Sequence, residues 1–412
     1  MPRKMKDSGI EWIGEIPESW EVVRHKHVMH KEKTICEHYD GEDIISLTMN
    51  GVIIRDLDAG GKMPTSFDGY QYVEPQNLLL CLFDIDVTPR CVGLVKNAGV
   101  TSPAYSRFIV HNGYYNAYYD YLLRTIDDKK VFVHLSKNLR SSLTESDFGA
   151  LPTIAPPFDE QRSIASFLDT KCAQIDAVLE QTRNSIEEYK KLKQSVITQA
   201  VTKGIRPGRK MKDSGIEWIG EISADFKLMK LKQVSEILDQ YRSPISAEQR
   251  KQDAEILYDY YGASGAIDKI DGYTIDDHVM LIGEDGANLR MRNLPLMYEV
   301  NGKAWINNHA HILKPKKDMH FYFLFYALEA MDINPYITGS AQPKLSQENL
   351  KNIWLPIPPY YEQKEIANYI KNKAKQFDVI IDKKRHFITE LESYKKSLIY
   401  ECVTGKKDVH LL

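Results

Sequence analysis

Hydrophobic and polar positions divide the chain into two regimes. In two long stretches apolar residues recur in alternating steps of four and three. The first seam runs Leu168, Cys172, Ile175, Leu179, Thr182, Ile186, Tyr189, Lys193, Val196, Ala200; the second runs Ile370, Ala374, Phe377, Ile381, Lys384, Ile388, Leu391, Lys395, Leu398, Cys402. A 3.5-residue period held over four heptads is a helix-pairing seam. Pro156-Pro157 and Pro358-Pro359 stop the chain just before each stretch, and Gly204 and Gly405 follow it. No proline or glycine intervenes, so each stretch predicts one helix of about 40 residues, a rod of roughly 60 Å. The rest reads differently. Short β-type runs broken by turn formers, such as "EDIISLTMNGVII", "NLLLCLFDIDV" and "SRFIVHNG", fill one block, and "EILYDYYGASGAIDKIDGYTI", "HVMLIGEDGANL" and "KAWINNHAHILK" fill another. Each block also predicts a helix near its end, "YYNAYYDYLLRTI" and "FYFLFYALEAM".

The two regimes alternate because the chain is duplicated. "KMKDSGIEWIGEI" begins at Lys4 and again at Lys210. The rods align with a constant offset of 202, which places Glu160-Gln161 on Glu362-Gln363, Asp176 on Asp378 and Ser195 on Ser397. The polar breaks in the seams also match, Thr182 with Lys384 and Lys193 with Lys395. Either each helix packs only on its own domain or the two pair with each other, and the matched breaks favour pairing. The variable blocks, about 17 to 150 and 223 to 354, share no comparable identity. The expected organisation is residues 1–150 as first repeat and head, 151–204 as central helix, 205–354 as linker, second repeat and second head, and 355–412 as C-terminal helix. The fold class is mixed α/β (α+β): two globular heads, two long antiparallel coiled-coil helices and a pseudo-twofold internal repeat. Apolar Ile10, Trp12, Ile13 and Ile16, with Ile216, Trp218, Ile219 and Ile222, are expected to pack where rod meets head or partner.

At 412 residues, 43% hydrophobic and 27% charged, the chain has a soluble globular composition large enough for two cored units. No run approaches a membrane span and the first residues are charged, so a cytoplasmic protein is expected. Cys36, Cys81, Cys91, Cys172 and Cys402 form no CxxC pair, which argues for reduced, buried thiols over a zinc ribbon or disulfide framework. The net charge of -3 does not advertise a polyanion ligand.

Catalytic signals are sparse. Neither GxGxxG nor a P-loop occurs. Pro156-Pro157-Phe158 and Pro358-Pro359-Tyr360 invite comparison with the amino-methyltransferase motif, but Ala155 and Ile357 stand where Asn or Asp must accept the target amino group's hydrogen bond. They read as proline stops. His25 with His27, and His309 with His311, would share a strand face, without further metal-ligand spacing. Asp84, Asp86 and Glu284-Asp285 read as turn carboxylates.

The duplicated two-head, two-rod layout resembles the specificity subunit of type I restriction-modification enzymes over essentially the whole chain. "SGIEWIGEIPESWEV" from Ser8 and "PPFDEQRSIASFLD" from Pro156 resemble that family's domain and helix starts. "YYGASGAIDKIDGY" from Tyr260, "LIGEDGANL" from Leu281, "KAWINNHAHIL" from Lys303 and "TGSAQPKLSQENL" from Thr338 resemble one kind of target-recognition head, and "TPRCVGLVKNAGVTSPAYSRF" from Thr88 another. The resemblance implies that each head reads one half of a bipartite double-stranded DNA site, that the rods set the spacer, and that conserved-type regions hold two methyltransferase subunits. Endonuclease/translocase subunits join for cleavage. It further implies that S-adenosylmethionine, ATP and Mg belong to those partners and that this chain is non-catalytic, with no catalytic or metal residue of its own. The recognition subunit of an enzyme that cuts on both sides of its site is the alternative, followed by a catalytic DNA methyltransferase or nuclease.

Arg or Lys reads guanine and Asn or Gln reads adenine in the major groove. On that basis loop-like contexts nominate Arg90, Lys96, Thr101, Ser102, Tyr105 and Arg140 in the first head. The second head offers Arg242, Ser264, Asn288, Arg290, Arg292, Asn307, Asn308, His309, Gln342 and Lys344. Gln342 and Lys344 are the favoured pair, because "GSAQPKL" presents polar side chains on a Gly-Ser turn before the rod; Asn307 and Asn308 have the alternative of satisfying turn backbone. Lys plus Arg stand against Asp plus Glu at 14 to 18 in residues 17–150 and 15 to 18 in 223–354. Phosphate binding needs a basic face, so cations are expected to cluster or the partners to supply much of the grip.

Overall fold

A computed structural model describes residues 3–49, 51–58, 64–88, 90–135, 142–250 and 255–409. The chain divides into two compact units, Met1–Thr182 with His386–Leu412, and Arg183–Arg385. The uninterrupted stretches form the helices Phe158–Lys203 and Tyr360–Val403. Each is closed by a left-handed glycine, Gly204 (φ +78°) and Gly405 (φ +72°), the usual way to end a helix without a Cβ penalty. At Gly405 space is a second reason, since a Cβ would lie 2.4 Å from the Pro17 ring.

Each unit contains a stretch of both helices, packed antiparallel. In the first, Lys395 Nζ donates to Asp176 Oδ1 at 2.6 Å, and Cys402, further along one helix, packs in the same core as Cys172, further back along the other. In the second, Lys193 Nζ donates to Asp378 Oδ1 at 2.6 Å, and Lys384 lies over the Tyr189 ring at 5.6 Å. Lys193 and Asp378 are the repeat counterparts of Lys395 and Asp176, so one cross-helix pair is made in each unit. All twenty seam positions are buried or half-buried. The period therefore identified the contact face. Its lysines stay because their stems pack along the seam while the ammonium groups of Lys193 and Lys395 reach a carboxylate at its edge and that of Lys384 lies over the Tyr189 ring.

The thirteen-residue repeats fold into hairpins, Met5–Asp7 with Glu15–Pro17 and Met211–Asp213 with Glu221–Ser223. Ile13, Ile16, Ile219 and Ile222 are buried. In the first unit the hairpin takes Lys406 Nζ on the carbonyl of Ile13 and the Tyr400 hydroxyl on that of Trp12. Strands Glu21–Arg24 and Pro152–Ala155 then pair antiparallel, as do Lys227–Lys230 and Trp354–Ile357. Each pair joins the start of a head to its end and delivers the chain to the proline stop.

Gln161 and Gln363 make the same two bonds. The side-chain oxygen of Gln161 accepts from Tyr115 N at 2.8 Å, and that of Gln363 from His320 N at 2.8 Å. These are the N-cap residues of the helices Asn116–Asp128 and Phe321–Ala330. The side-chain nitrogens of Gln161 and Gln363 donate to Pro156 O and Pro358 O. One repeated glutamine thus satisfies an orphan N–H of a head helix while holding the rod start. Beside it, Arg3 pairs with Glu160 and Asp408, and Arg209 with Glu362.

The heads differ. The first has two four-stranded sheets, ordered Gly51–Ile54, Ile44–Thr48, Gly99–Thr101, Gln71–Val73 and Met29–Lys31, Ser106–Val110, Leu78–Leu80, Val92–Leu94. The second has one six-stranded sheet, ordered Ser235–Ile237, Ala310–Pro315, Ile275–Gly283, Met297–Ile306, Tyr258–Gly262, Gly265–Ile270. All five cysteines are free and buried. No described helix is long and apolar enough to cross a membrane, and no described cluster of His, Cys, Asp and Glu could hold a metal. The shared-face expectation for His25 and His27 is corrected: His25–Val28 is a single helical turn, with His25 buried and His27 exposed.

Candidate nucleic-acid interface

Most second-head candidates converge on one end of the six-stranded sheet. Four segments meet there: the tight turn carrying Ser264, the segment after strand Ile275–Gly283, the turn 307–309, and the loop 338–345. They are stitched by backbone. Glu284 N donates to His309 O at 2.8 Å, Leu345 N to Glu284 O at 2.7 Å, and Gly286 N to Pro343 O at 3.1 Å. Gly283 allows the first turn to close in, since a Cβ there would lie 2.7 Å from Ala263 O.

Below this surface lies a polar network. His311, 1% exposed, places Nδ1 2.7 Å from Asp239 Oδ2 and Nε2 2.8 Å from Leu345 O. Gln347 donates to Asp239 at 3.0 Å, and Asp239 accepts Ile312 N at 3.0 Å. Burial raises the Asp239 carboxyl, but bonds from His311 and Gln347 outweigh it and hold the group below the ordinary carboxylate range. Glu284 behaves likewise: burial pushes it up, while Arg242 and Lys344 bring it down. Both carboxylates stay charged and anchor the loops above them.

This arrangement sorts the candidates. Ser264, Arg290, Asn308, His309, Gln342 and Lys344 are exposed. His309 leans on Asp285 at 2.7 Å, Lys344 on Glu284 at 3.1 Å, and Arg290 donates to Gly339 O at 3.3 Å, so the cations are positioned without being enclosed. Arg242 is turned inward to Glu284, Asp239 and the Asn308 carbonyl. Arg292, at φ +51°, donates to Met331 O at 3.3 Å and to Glu329. Asn288 exchanges bonds with Leu294 and Pro295. Asn307 is 5% exposed and caps its own turn through His309 N at 2.8 Å. Arg242, Arg292 and Asn288 differ from the exposed set in that their donors are engaged in holding the fold.

In the first head the candidates do not assemble. Thr101 is corrected outright, being fully buried with Oγ1 donating to Ile45 O at 2.7 Å. Arg90 is paired with Asp128 at 3.3 Å and Asp127 at 3.9 Å, which removes it as a free reader. Ser102 and Tyr105 shape a turn whose carbonyls both accept from the Gln71 amide; Tyr105 also packs on a small apolar cluster. Lys96 is exposed between strands Val92–Leu94 and Gly99–Thr101. Arg140 lies outside the described residues. A cleft of about 660 Å³ is lined by Glu32, Glu42, Asp43 and Glu74, a poor setting for phosphate.

Sequence reasoning missed Asp239 and Gln347, and named His311 only as a strand-face neighbour of His309. Asp239 and Gln347 are over a hundred positions apart, so no local spacing could have paired them.

The family model described as type I restriction modification DNA specificity domain matches residues 223–390, the second head and much of the second long helix. The MjaX type I specificity subunit of Methanocaldococcus jannaschii is 24% identical, covering 96% of this chain and 95% of that one. A protein of Haemophilus influenzae named as a type I restriction enzyme specificity subunit is 33% identical over 34% of this chain, about a third (35%) of its own length. Among solved structures, a chain from a study of assembly and conformational transition in a type I R-M system matches with TM-score 0.71 at 14% identity, covering 95% of this chain and 99% of that one. The HsdS subunit of Thermoanaerobacter tengcongensis matches at 0.50 and 16%, with coverage of 95% and 98%. Those two likenesses establish the fold. The family match across the second head and a full-length relative of the same kind make the chain similar to the specificity subunits of type I restriction-modification enzymes.

Proposed function

We propose that the chain reads a split double-stranded DNA sequence, one half per head, and is itself non-catalytic. In this reading the long helices set the unread spacer, and the repeated joints mount two methyltransferase subunits; endonuclease/translocase subunits join them for cleavage. S-adenosylmethionine, ATP and Mg are carried by those partners. The observation that carries it is the contrast within the chain: equivalent joints repeated around two heads of different topology, one of which gathers exposed Asn308, Gln342, His309, Arg290 and Lys344 at one sheet end. Asn and Gln amides with Arg and Lys are base-edge readers. Neither head carries an excess of cations, so part of the phosphate grip falls to the partner subunits.

Purifying the complex and sequencing the DNA it selects from a random library tests the reading. Two fixed half-sequences around an unread gap are expected, and a single contiguous sequence refutes it. Methyl transfer by this chain alone would make it the catalyst. Adding seven residues to each long helix keeps the 3.5-residue seam in register and should widen the gap while leaving both half-sequences unchanged.

A further inference from the structure

Asn307 reads differently from an ordinary recognition asparagine. Beside it lies a cleft of about 520 Å³ in the second head, lined by Ser246, Arg250, Tyr260, Ile267 and the rim residues Asn308 and His309. Tyr260 is 2% exposed, and the Arg250 guanidinium lies 4.7 Å over its ring while pairing with Asp268 at 2.7 Å. Asn307 is 5% exposed, and its backbone N–H donates to Tyr261 O at 3.1 Å. Its Oδ1 accepts from His309 N at 2.8 Å. Because that partner is a backbone donor, the amide's orientation is fixed: the oxygen faces the turn and the NH₂ faces away. Nδ2 has no hydrogen-bond partner among the described residues and is not sealed from solvent. Gly262 keeps the space beside it open, since a Cβ there would stand 3.4 Å from Nδ2.

We propose that Asn307 is a specificity-determining residue that offers only a donor and therefore selects a base edge bearing an acceptor, rejecting cytosine, at one position of one half-site. The proposal rests on the reading of the second head as a DNA reader. Asparagine usually reads adenine with both amide atoms, Nδ2 donating to N7 and Oδ1 accepting from N6. Here the turn holds Oδ1. What remains matches N7 or O6 of guanine, O4 of thymine or N7 of adenine, and only cytosine, whose edge carries an amino group alone, is left facing a donor.

The test is library selection with the full-length chain in the complex it co-purifies with. Wild type should reject cytosine at one position. Asn307→Asp differs by one atom and keeps an oxygen for His309 N, but turns an acceptor to the cleft; preference at that position should move to adenine or cytosine by about tenfold, the scale of one good base contact. Gly262→Ala places a methyl against Nδ2 and should erase preference at the same position. The other half-site should stay unchanged throughout, which also reports that the variants fold. An unchanged preference in Asn307→Asp overturns the proposal, leaving Asn307 a turn former. Uniform weakening without a change of preference overturns it in favour of a phosphate contact. A wild-type preference for cytosine at the affected position also overturns it. Selection of no split sequence by the wild-type complex overturns the functional reading of the whole chain.

Discussion

The two joints perform one task with different reserves. In the first, Glu160 is bound by Arg3 and by the Trp20 indole at 2.9 Å, and Arg3 has a second carboxylate in Asp408 at 3.1 Å. In the second, phenylalanine replaces the tryptophan: Phe226 offers a ring 5.7 Å from Arg209 but no donor. Glu362 is 1% exposed and depends on Arg209 at 2.7 Å. One strand further the order reverses. His25 N bonds Leu151 O at 3.0 Å as its counterpart Leu231 N bonds Ile353 O at 2.8 Å, so the backbone is the same. The histidine, however, buries a ring nitrogen, Nε2, without a partner. Duplication has kept the contacts that place the chain and let the surrounding chemistry drift, leaving each joint vulnerable to a different change.

The largest expected difference is at the buried carboxylates. Glu362→Ala leaves Arg209 with little beyond the Ser223 hydroxyl at 3.3 Å, and breaking a buried pair from one side costs about 3–5 kcal/mol. Glu160→Ala leaves Arg3 with Asp408 and should cost less. Hydrogen exchange in strands Glu221–Ser223 and Glu15–Pro17 would compare them, and equal losses would end the idea that the joints differ in reserve.

Next comes acid sensitivity. Burial lowers the His25 pKa from 6.5 to about 4, the bond to Leu151 opposing it only in part. Because the folded value is depressed, the unfolded chain binds the proton first. Stability is therefore unaffected above about pH 6.5 and is lost as pH falls toward 4, by about 3 kcal/mol in all. His25→Leu, which copies the second joint, should flatten melting temperature between pH 7 and 5. An unchanged slope would place the acid sensitivity elsewhere.

Smaller effects belong to the heads. Gln342→Ala with Lys344→Ala should cost about 1–3 kcal/mol of base discrimination per contact, in one half-site only. Equal weakening at both halves would assign the residues to assembly. Smallest is the seam. Lys193–Asp378 and Lys395–Asp176 are half-exposed pairs worth about 0.2–1 kcal/mol each. Asp378→Lys and Asp176→Lys should destabilise their own units by similar amounts, and reversing the partner lysine to Asp should restore each; unequal losses would deny the pairs their equivalence.

The frame was legible because it is written in local, periodic signals. Proline stops, a 3.5-residue seam and two glycine ends specify the helices wherever they sit, and duplication marked the contacts that matter. The readers were only partly legible. Thr101 and Arg90 carry suitable side chains in loop-like contexts, yet long-range contacts bury one and pair the other. Sequence also named Asn307 without indicating which amide atom faces out.

The sequence by itself determined the long helices, their seam and the repeated joints, because each depends on residues a few positions apart or on outright identity. Only the tertiary structure decided which polar side chains remain free. Whether a donor is available depends on acceptors brought from far along the chain, as His311 meets Asp239 and Leu345, and nothing in local spacing encodes that meeting.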